Sequence, residues 1–182
     1  MRQRLVLCLM AVAVVSWPVA AGAQHRQPKV GAIAVGGDGG AYAPGGDLHA
    51  GARVDGFVEF YVLPRISIRG MGGWMENRLV VGDESVSQRR LSVNVIYNWE
   101  AESWHPFVTA GVGGQFFRYT QGRDPAGAMT TKPAFNVGAG VEYFSRPTLT
   151  LKFEGTYYRV RSTEAHRNPS GLAVTAGIKK YF

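Results

Sequence analysis

Residues 171–182 read GLAVTAGIKKYF. Leu172, Val174, Ala176, Ile178 and Phe182 share one face of a strand, because side chains alternate with period two. Only Lys180 interrupts that face, close enough to the end to extend its ammonium into water. Terminal residues of soluble domains usually fray. Here they read as a strand that finishes on two aromatics, Tyr181 and Phe182.

The same alternation runs back through the chain. It predicts eight strands at roughly 29–36, 48–62, 66–75, 90–99, 106–118, 133–144, 148–158 and 171–182. Helical patterning is nearly absent. The connections alternate in length without exception. The first is the Gly-rich GGDGGAYAPGGD, the second is LPR at 63–65, and the third covers roughly 76–89. The fourth, sixth and seventh fall near 100–105, 145–147 and 159–170, and the fifth near 119–132. In an up-and-down barrel alternate connections lie at the same end, so all the long ones gather at one end and both termini join the short turns. That is the arrangement of an all-β, eight-stranded antiparallel up-and-down transmembrane β-barrel.

Facing is legible in five strands. Val54, Val58, Phe60 and Val62 oppose Arg53, Asp55, Glu59 and Tyr61. Leu91, Val93, Val95, Tyr97 and Trp99 oppose Ser92, Asn94 and Asn98. Phe135, Val137, Ala139, Val141 and Tyr143 oppose Asn136, Gly138, Gly140 and Glu142, and Leu149, Leu151, Phe153 and Tyr157 oppose Thr150, Lys152, Glu154 and Thr156. The Gly-rich first and fifth strands leave their facing open. Aromatics on the apolar face sort to its ends: Phe60, Tyr97, Trp99, Tyr143 and Phe182 at the short-turn end, Trp74, Phe135 and Tyr157 at the long-loop end. Amphipathic rings favour membrane–water boundaries. From Phe135 to Tyr143 a tilted strand spans roughly 20 Å, close to the ~25 Å apolar band of such barrels. A soluble barrel has no reason to sort its rings this way.

The first 23 residues have Arg2 and Arg4, an apolar run from Leu5 to Val15 too short for a transmembrane helix, and small residues ending in Ala21-Gly22-Ala23. They predict a signal peptide over 1–23, cut after Ala23, then a single barrel domain over 24–182. Cys8, the single cysteine, lies inside the apolar run and not at the cleavage site, which excludes a lipoprotein signal. The remainder would hold no thiol for a disulfide, thiolate catalysis or a Cys-based metal site. The formal net charge is +7. Its dispersal along the chain, with an export signal, argues against nucleic acid as a partner.

Three stretches, LPRISIRG, NVIYNWEAESWHPFVTAGVGG and NVGAGVEYFSRPTLTLKFEGTYY, look like hairpins of the OmpA/OmpX/opacity-type eight-stranded outer-membrane barrels. The resemblance covers roughly 28 to 182. It implies the cell outer membrane as location and outer-membrane lipid as surroundings. The ending resembles the C-terminal recognition strand of bacterial outer-membrane proteins, which implies an assembly signal at Ile178, Tyr181 and Phe182, read by the barrel-assembly machinery. Because the chain stops at strand eight, a peptidoglycan-binding domain of the kind OmpA carries is not expected.

Chemistry-bearing motifs are sparse. His25 and His49 stand alone, and His105 is expected in a short turn beside Trp104 at the membrane boundary. His166 lies in HRNPSG. Lipid A deacylase barrels place a His and a Ser two residues apart, whereas here Asn168 takes that place and Ser170 is four away. Asp38 and Asp47 in a Gly-rich loop make a poor calcium site, so that loop is expected to be a mobile external one. GVGG at 111–114 opens no helix and is no nucleotide loop. No catalytic, metal or cofactor residue is expected. The function expected is structural, adhesive or surface-interacting, directed at an unidentified external ligand or surface, with lipid modification as the alternative. Arg118, Arg159 and Arg161 are candidate contacts to lipid headgroups.

Eight strands leave a bore that side chains fill, so an open pore is not expected. The polar faces predict an interior charge network of Arg53, Asp55, Glu59, Arg69, Glu142, Lys152, Glu154 and Lys179. If the LPR turn is centred on Pro64, Glu59 faces Arg69, Phe60 faces Ile68 and Val54 faces Trp74. A turn centred on Arg146 puts Phe135 opposite Tyr157 and Glu142 diagonal to Lys152. Removing Phe182, or making Phe182→Ser, is expected to slow assembly far more than it weakens a finished barrel, since one outward contact is worth about 2 kcal/mol. Wild-type amounts of assembled, heat-modifiable protein in cells would contradict this.

Overall fold

The computed structural model describes residues 28–45, 49–78, 85–99, 103–119, 130–161 and 169–182. The region read as a signal peptide lies outside them, as do His25, Asp47 and His166. Eight antiparallel strands, β1 (Ile33–Pro44), β2 (Gly51–Leu63), β3 (Ile66–Arg78), β4 (Ser85–Asn98), β5 (Trp104–Tyr119), β6 (Thr130–Arg146), β7 (Leu149–Val160) and β8 (Gly171–Tyr181), pair in sequence order. β1 also pairs with β8, which closes the barrel. A circuit along cross-strand partners runs Ala34, Glu59, Arg69, Asn94, Gly111, Asn136, Tyr158, Gly171 and returns to β1 at Pro44, ten residues further on. That stagger tilts the strands by about 40° from the barrel axis.

Burial is inverted relative to a soluble barrel. Val54, Leu91, Val93, Val112, Val137, Val174 and Ile178 are exposed on the outer surface. Arg69, Glu59, Lys152 and Lys179 are fully buried inside. β1 and β5 face the same way: Ala34, Asp38 and Tyr42 point inward, and so do His105, Phe107, Thr109, Gln115 and Phe117. No solvent other than hydrocarbon suits such an exterior.

Strand limits differ from expectation mainly at β1. The expected strand 29–36 followed by a Gly-rich loop is instead a strand over 33–44, so most of that stretch is wall. Glycine has low β-propensity, but closure gives β1 partners on both sides: Ile33–Tyr42 on β2 and Ala34–Pro44 on β8. Asp38, expected in a mobile loop, therefore points into the lumen. β3, β4 and β6 also run further toward the long-loop end than expected. β5 begins at Trp104, which moves His105 out of a turn and into the wall.

The two tight hairpins are built alike. Each has a two-residue turn starting with proline, Pro64-Arg65 and Pro147-Thr148, and one unpaired residue on the preceding strand, Val62 or Ser145. Among the described residues none other than glycine has positive φ, so these are not the primed turns that match strand twist. The bulge takes up the mismatch. In the first hairpin Glu59 lies opposite Arg69. In the second the expected register is off by two. Phe135 lies opposite Arg159 and Glu142 opposite Lys152, because the turn is Pro147-Thr148 rather than one centred on Arg146. An even slip leaves every side chain on its expected face.

Inward glycines make room for neighbours. A Cβ on Gly73 would lie 1.7 Å from Asp55 Oδ1, whereas one on the outward Gly56 would meet nothing within 4 Å. Gly73→Ala is expected to cost about 1–3 kcal/mol by overpacking, and Gly56→Ala less than about 0.5 kcal/mol, in urea titrations of the refolded barrel. Equal effects would contradict the inward placement of Gly73.

Candidate functional site: an ion-paired lumen and a basic rim

Among the described residues, alternation delivers ten buried charged side chains to the bore from seven strands. Five are carboxylates (Asp38, Asp55, Glu59, Glu142, Glu154) and five are cations (Arg53, Arg69, Arg90, Lys152, Lys179). They form two networks. In the larger, Lys152 donates to Asp38 at 2.6 Å and to Glu154 at 2.9 Å. Arg69 donates to Glu154 and Glu59, each at 2.9 Å. Lys179 donates to Glu142 at 2.6 Å and to Glu59 at 3.3 Å. The hydroxyls of Ser67, Thr156 and Tyr181 donate to Glu59, Glu154 and Glu142. The smaller network joins Arg53 and Arg90 to the two oxygens of Asp55, and Arg53 also donates to the Tyr158 hydroxyl.

Aromatic rings fill the rest of the bore. Arg69 lies 4.7 Å from the Phe57 ring centre, and Arg53 and Arg90 lie 4.8 and 4.4 Å from that of Tyr158. Tyr61, Phe144, Tyr181 and Ala34 cluster at the short-turn end, and Tyr42, Met75, Tyr158 and Ala173 at the other. A bore packed this way offers no open path for a solute.

All eight residues of the expected charge network point inward and are buried. Two charges were missed. Asp38 was hidden by its glycines, and its carboxylate accepts from Lys152. Arg90 had a usable signal, since it shares parity with Ser92, Asn94 and Asn98. His105, expected at the membrane boundary, instead lies in the lumen with its ring 4.6 Å from that of Phe144. Of the three residues of the expected assembly signal, Ile178 and Phe182 face outward. Tyr181 faces inward and bonds Glu142. Of the deacylase-like motif only Ser170 is described, and its hydroxyl accepts from the Val160 N–H at 3.0 Å.

On the outer wall two sets of rings bracket the apolar band. Tyr97 packs on Trp99 at 5.1 Å, and Trp104 on Tyr143 at 4.7 Å, near the short turns. Trp74, Phe135 and Tyr157 lie toward the long connections. Among these, Arg89 is exposed opposite Trp74, and Arg159 is exposed opposite Phe135. Arg161 is exposed just beyond β7. The Arg118 side chain lies outside the described residues.

A family model described as "Outer membrane protein beta-barrel domain" matches residues 7–181. The chain belongs to this family. It is a small β-barrel of the outer membrane, and its apolar exterior faces lipid. Among similar solved structures of the family's architecture is Neisserial surface protein A, with 15% identity and a TM-score of 0.72, covering 84% of this chain and 99% of that one. The N-terminal β-barrel domain of Pseudomonas aeruginosa OprF shows 15% identity and a TM-score of 0.65, covering 85% and 100%. The attachment invasion locus protein Ail of Yersinia pestis shows 10% identity and a TM-score of 0.56, covering 85% and 100%. No curated protein matches. At these identities the likeness is one of fold, and the outer-membrane barrel is what the family and the structures share.

Arg69 serves three carboxylates, Glu59 and Glu154 at 2.9 Å and Glu142 at 3.7 Å. Arg69→Met would leave Asp38, Glu59, Glu142 and Glu154 with two lysines, and is expected to cost about 3–5 kcal/mol. Glu59→Gln alone is expected to cost less, because the larger network already has four carboxylates for three cations. The double variant Glu59→Gln, Arg69→Met should recover part of the loss. Urea titration of the four proteins checks this, and additive effects would contradict a shared network.

Proposed function

We propose that this barrel is a non-enzymatic surface protein, using its wall and lumen as a rigid mount and its four longer connections to meet an external partner. The observation that carries this reading is the filled, ion-paired bore. It leaves no path for transport, so the loop end and the outer rim are the places left for interaction. The loops join strands held on both sides by hydrogen-bonded neighbours, which suits presentation of variable segments on a stiff scaffold.

The rim cations supply a second part of the reading. Arg159 and Arg161, with Arg118 by its position in β5, form a basic band beside the outer aromatics and contact anionic headgroups of the outer leaflet. Each such contact is worth on the order of 1 kcal/mol near a charged surface and weakens with salt. Ail of Yersinia pestis has been solved with the heparin analogue sucrose octasulfate, and a polyanionic surface is the external partner we test first.

Replacing the connections at 120–129 and 162–168 by short Gly-Ser turns is expected to leave a heat-modifiable barrel while reducing attachment of intact cells to heparin-coated surfaces at least tenfold. Unchanged attachment would overturn the loop reading. The triple change Arg118→Ala, Arg159→Ala, Arg161→Ala is expected to weaken association with anionic vesicles at low salt, and unchanged association would overturn the rim reading.

A further inference from the structure

The two lumen networks are unequal in charge. The larger has four carboxylates and three cations. The smaller has two guanidinium groups, Arg53 and Arg90, on the single carboxylate of Asp55. All three residues are nearly inaccessible, with Arg53 2% and Arg90 4% exposed. A buried cation left without a counter-charge is unfavourable. Asp38, the cross-strand partner of Asp55, is committed to Lys152 and bonds neither arginine.

The same sector holds unpartnered donors. Arg53 Nη1, Arg90 Nε, Arg90 Nη1 and Gln115 Nε2 are buried and make no hydrogen bond. Both guanidinium groups lie against the Tyr158 ring and grip the same carboxylate, and Gln115 is the direct cross-strand partner of Arg90. A buried N–H group normally has an acceptor. Water joining Arg90 to Gln88 Oε1, Gln115 Oε1 or Ser92 Oγ, which are also unpartnered, would meet the hydrogen-bonding need but not the charge. A halide meets both, since it accepts several N–H donors and carries one negative charge. The side-chain-filled bore excludes anything much larger.

We propose that the loop-end half of the lumen is an anion site, taking one monovalent anion of halide size between Arg53, Arg90 and Gln115. The site neutralises the smaller network from outside the sequence, and it makes folding of the barrel depend on the anion present.

The test uses the barrel refolded in detergent, with bromide replacing gluconate at constant ionic strength. For a ligand bound by the folded state alone, the folded-to-unfolded ratio rises with ligand, approaching tenfold per tenfold as the site fills. The wild type is expected to show that rise. Arg90→Met, which leaves one arginine on Asp55, and Gln115→Glu, which builds a carboxylate beside the free N–H groups, are each expected to abolish it. Crystals grown in bromide should show an anomalous peak within hydrogen-bond distance of both guanidinium groups in the wild type and not in Gln115→Glu. No bromide dependence in the wild type, the same dependence in all three proteins, or a lumen sector holding water alone would overturn the proposal.

Discussion

An edge strand in hydrocarbon leaves a row of N–H and C=O groups with no water to take them, and each costs several kcal/mol. The fold therefore depends on the seam between β1 and β8. Partners along Ala34–Pro44 and Gly171–Tyr181 convert the sheet into a surface without edges. Closure with eight strands fixes a narrow bore, and the ten-residue stagger decides which side chains share a level in it. Small inward residues follow. At Gly36 a Cβ would lie 2.4 Å from the Phe57 ring and the same distance from the Ile178 carbonyl oxygen. The glycines of β1 are thus the means by which the seam and the aromatic filling coexist.

Lipid outside and a narrow bore inside then sort the charges. Turned outward at mid-membrane, a basic residue costs roughly 2–4 kcal/mol. Turned inward, it needs a partner. Inside the bore five carboxylates and five cations are linked through residues such as Arg69 that serve several partners at once. Such networks are weak evidence for stability in themselves. Here they tie side chains of seven strands together across the bore.

Much of this was legible in the sequence because parity is a local signal. Val93 against Asn94, or Phe153 against Lys152, needs no knowledge of the remaining strands, and an even error in register leaves faces intact, as at Phe135. What was illegible is non-local. Asp38 sits among glycines that resemble a loop until β8 is placed beside them. The limits of β1 follow from closure and not from its own residues. The division of ten charges into two networks depends on the stagger, which no single hairpin encodes. Arg90 is a different case, readable by parity from Ser92, Asn94 and Asn98.

The register of the seam is the most direct test of the account. Val35 and Lys180 are cross-strand partners on the outward face, and Ile178 is two residues away from Lys180. With Val35→Cys and Lys180→Cys in the assembled protein, oxidation is expected to form an intramolecular disulfide, since directly opposed Cβ atoms lie about 4.5–5.5 Å apart, a small backbone adjustment from the ~3.5–4.5 Å of a disulfide, whereas diagonal neighbours lie about 7–8 Å apart. The pair Val35→Cys and Ile178→Cys is expected to form little or none. A disulfide in the second pair but not the first, or in neither, would contradict a barrel closed through the Gly-rich first strand.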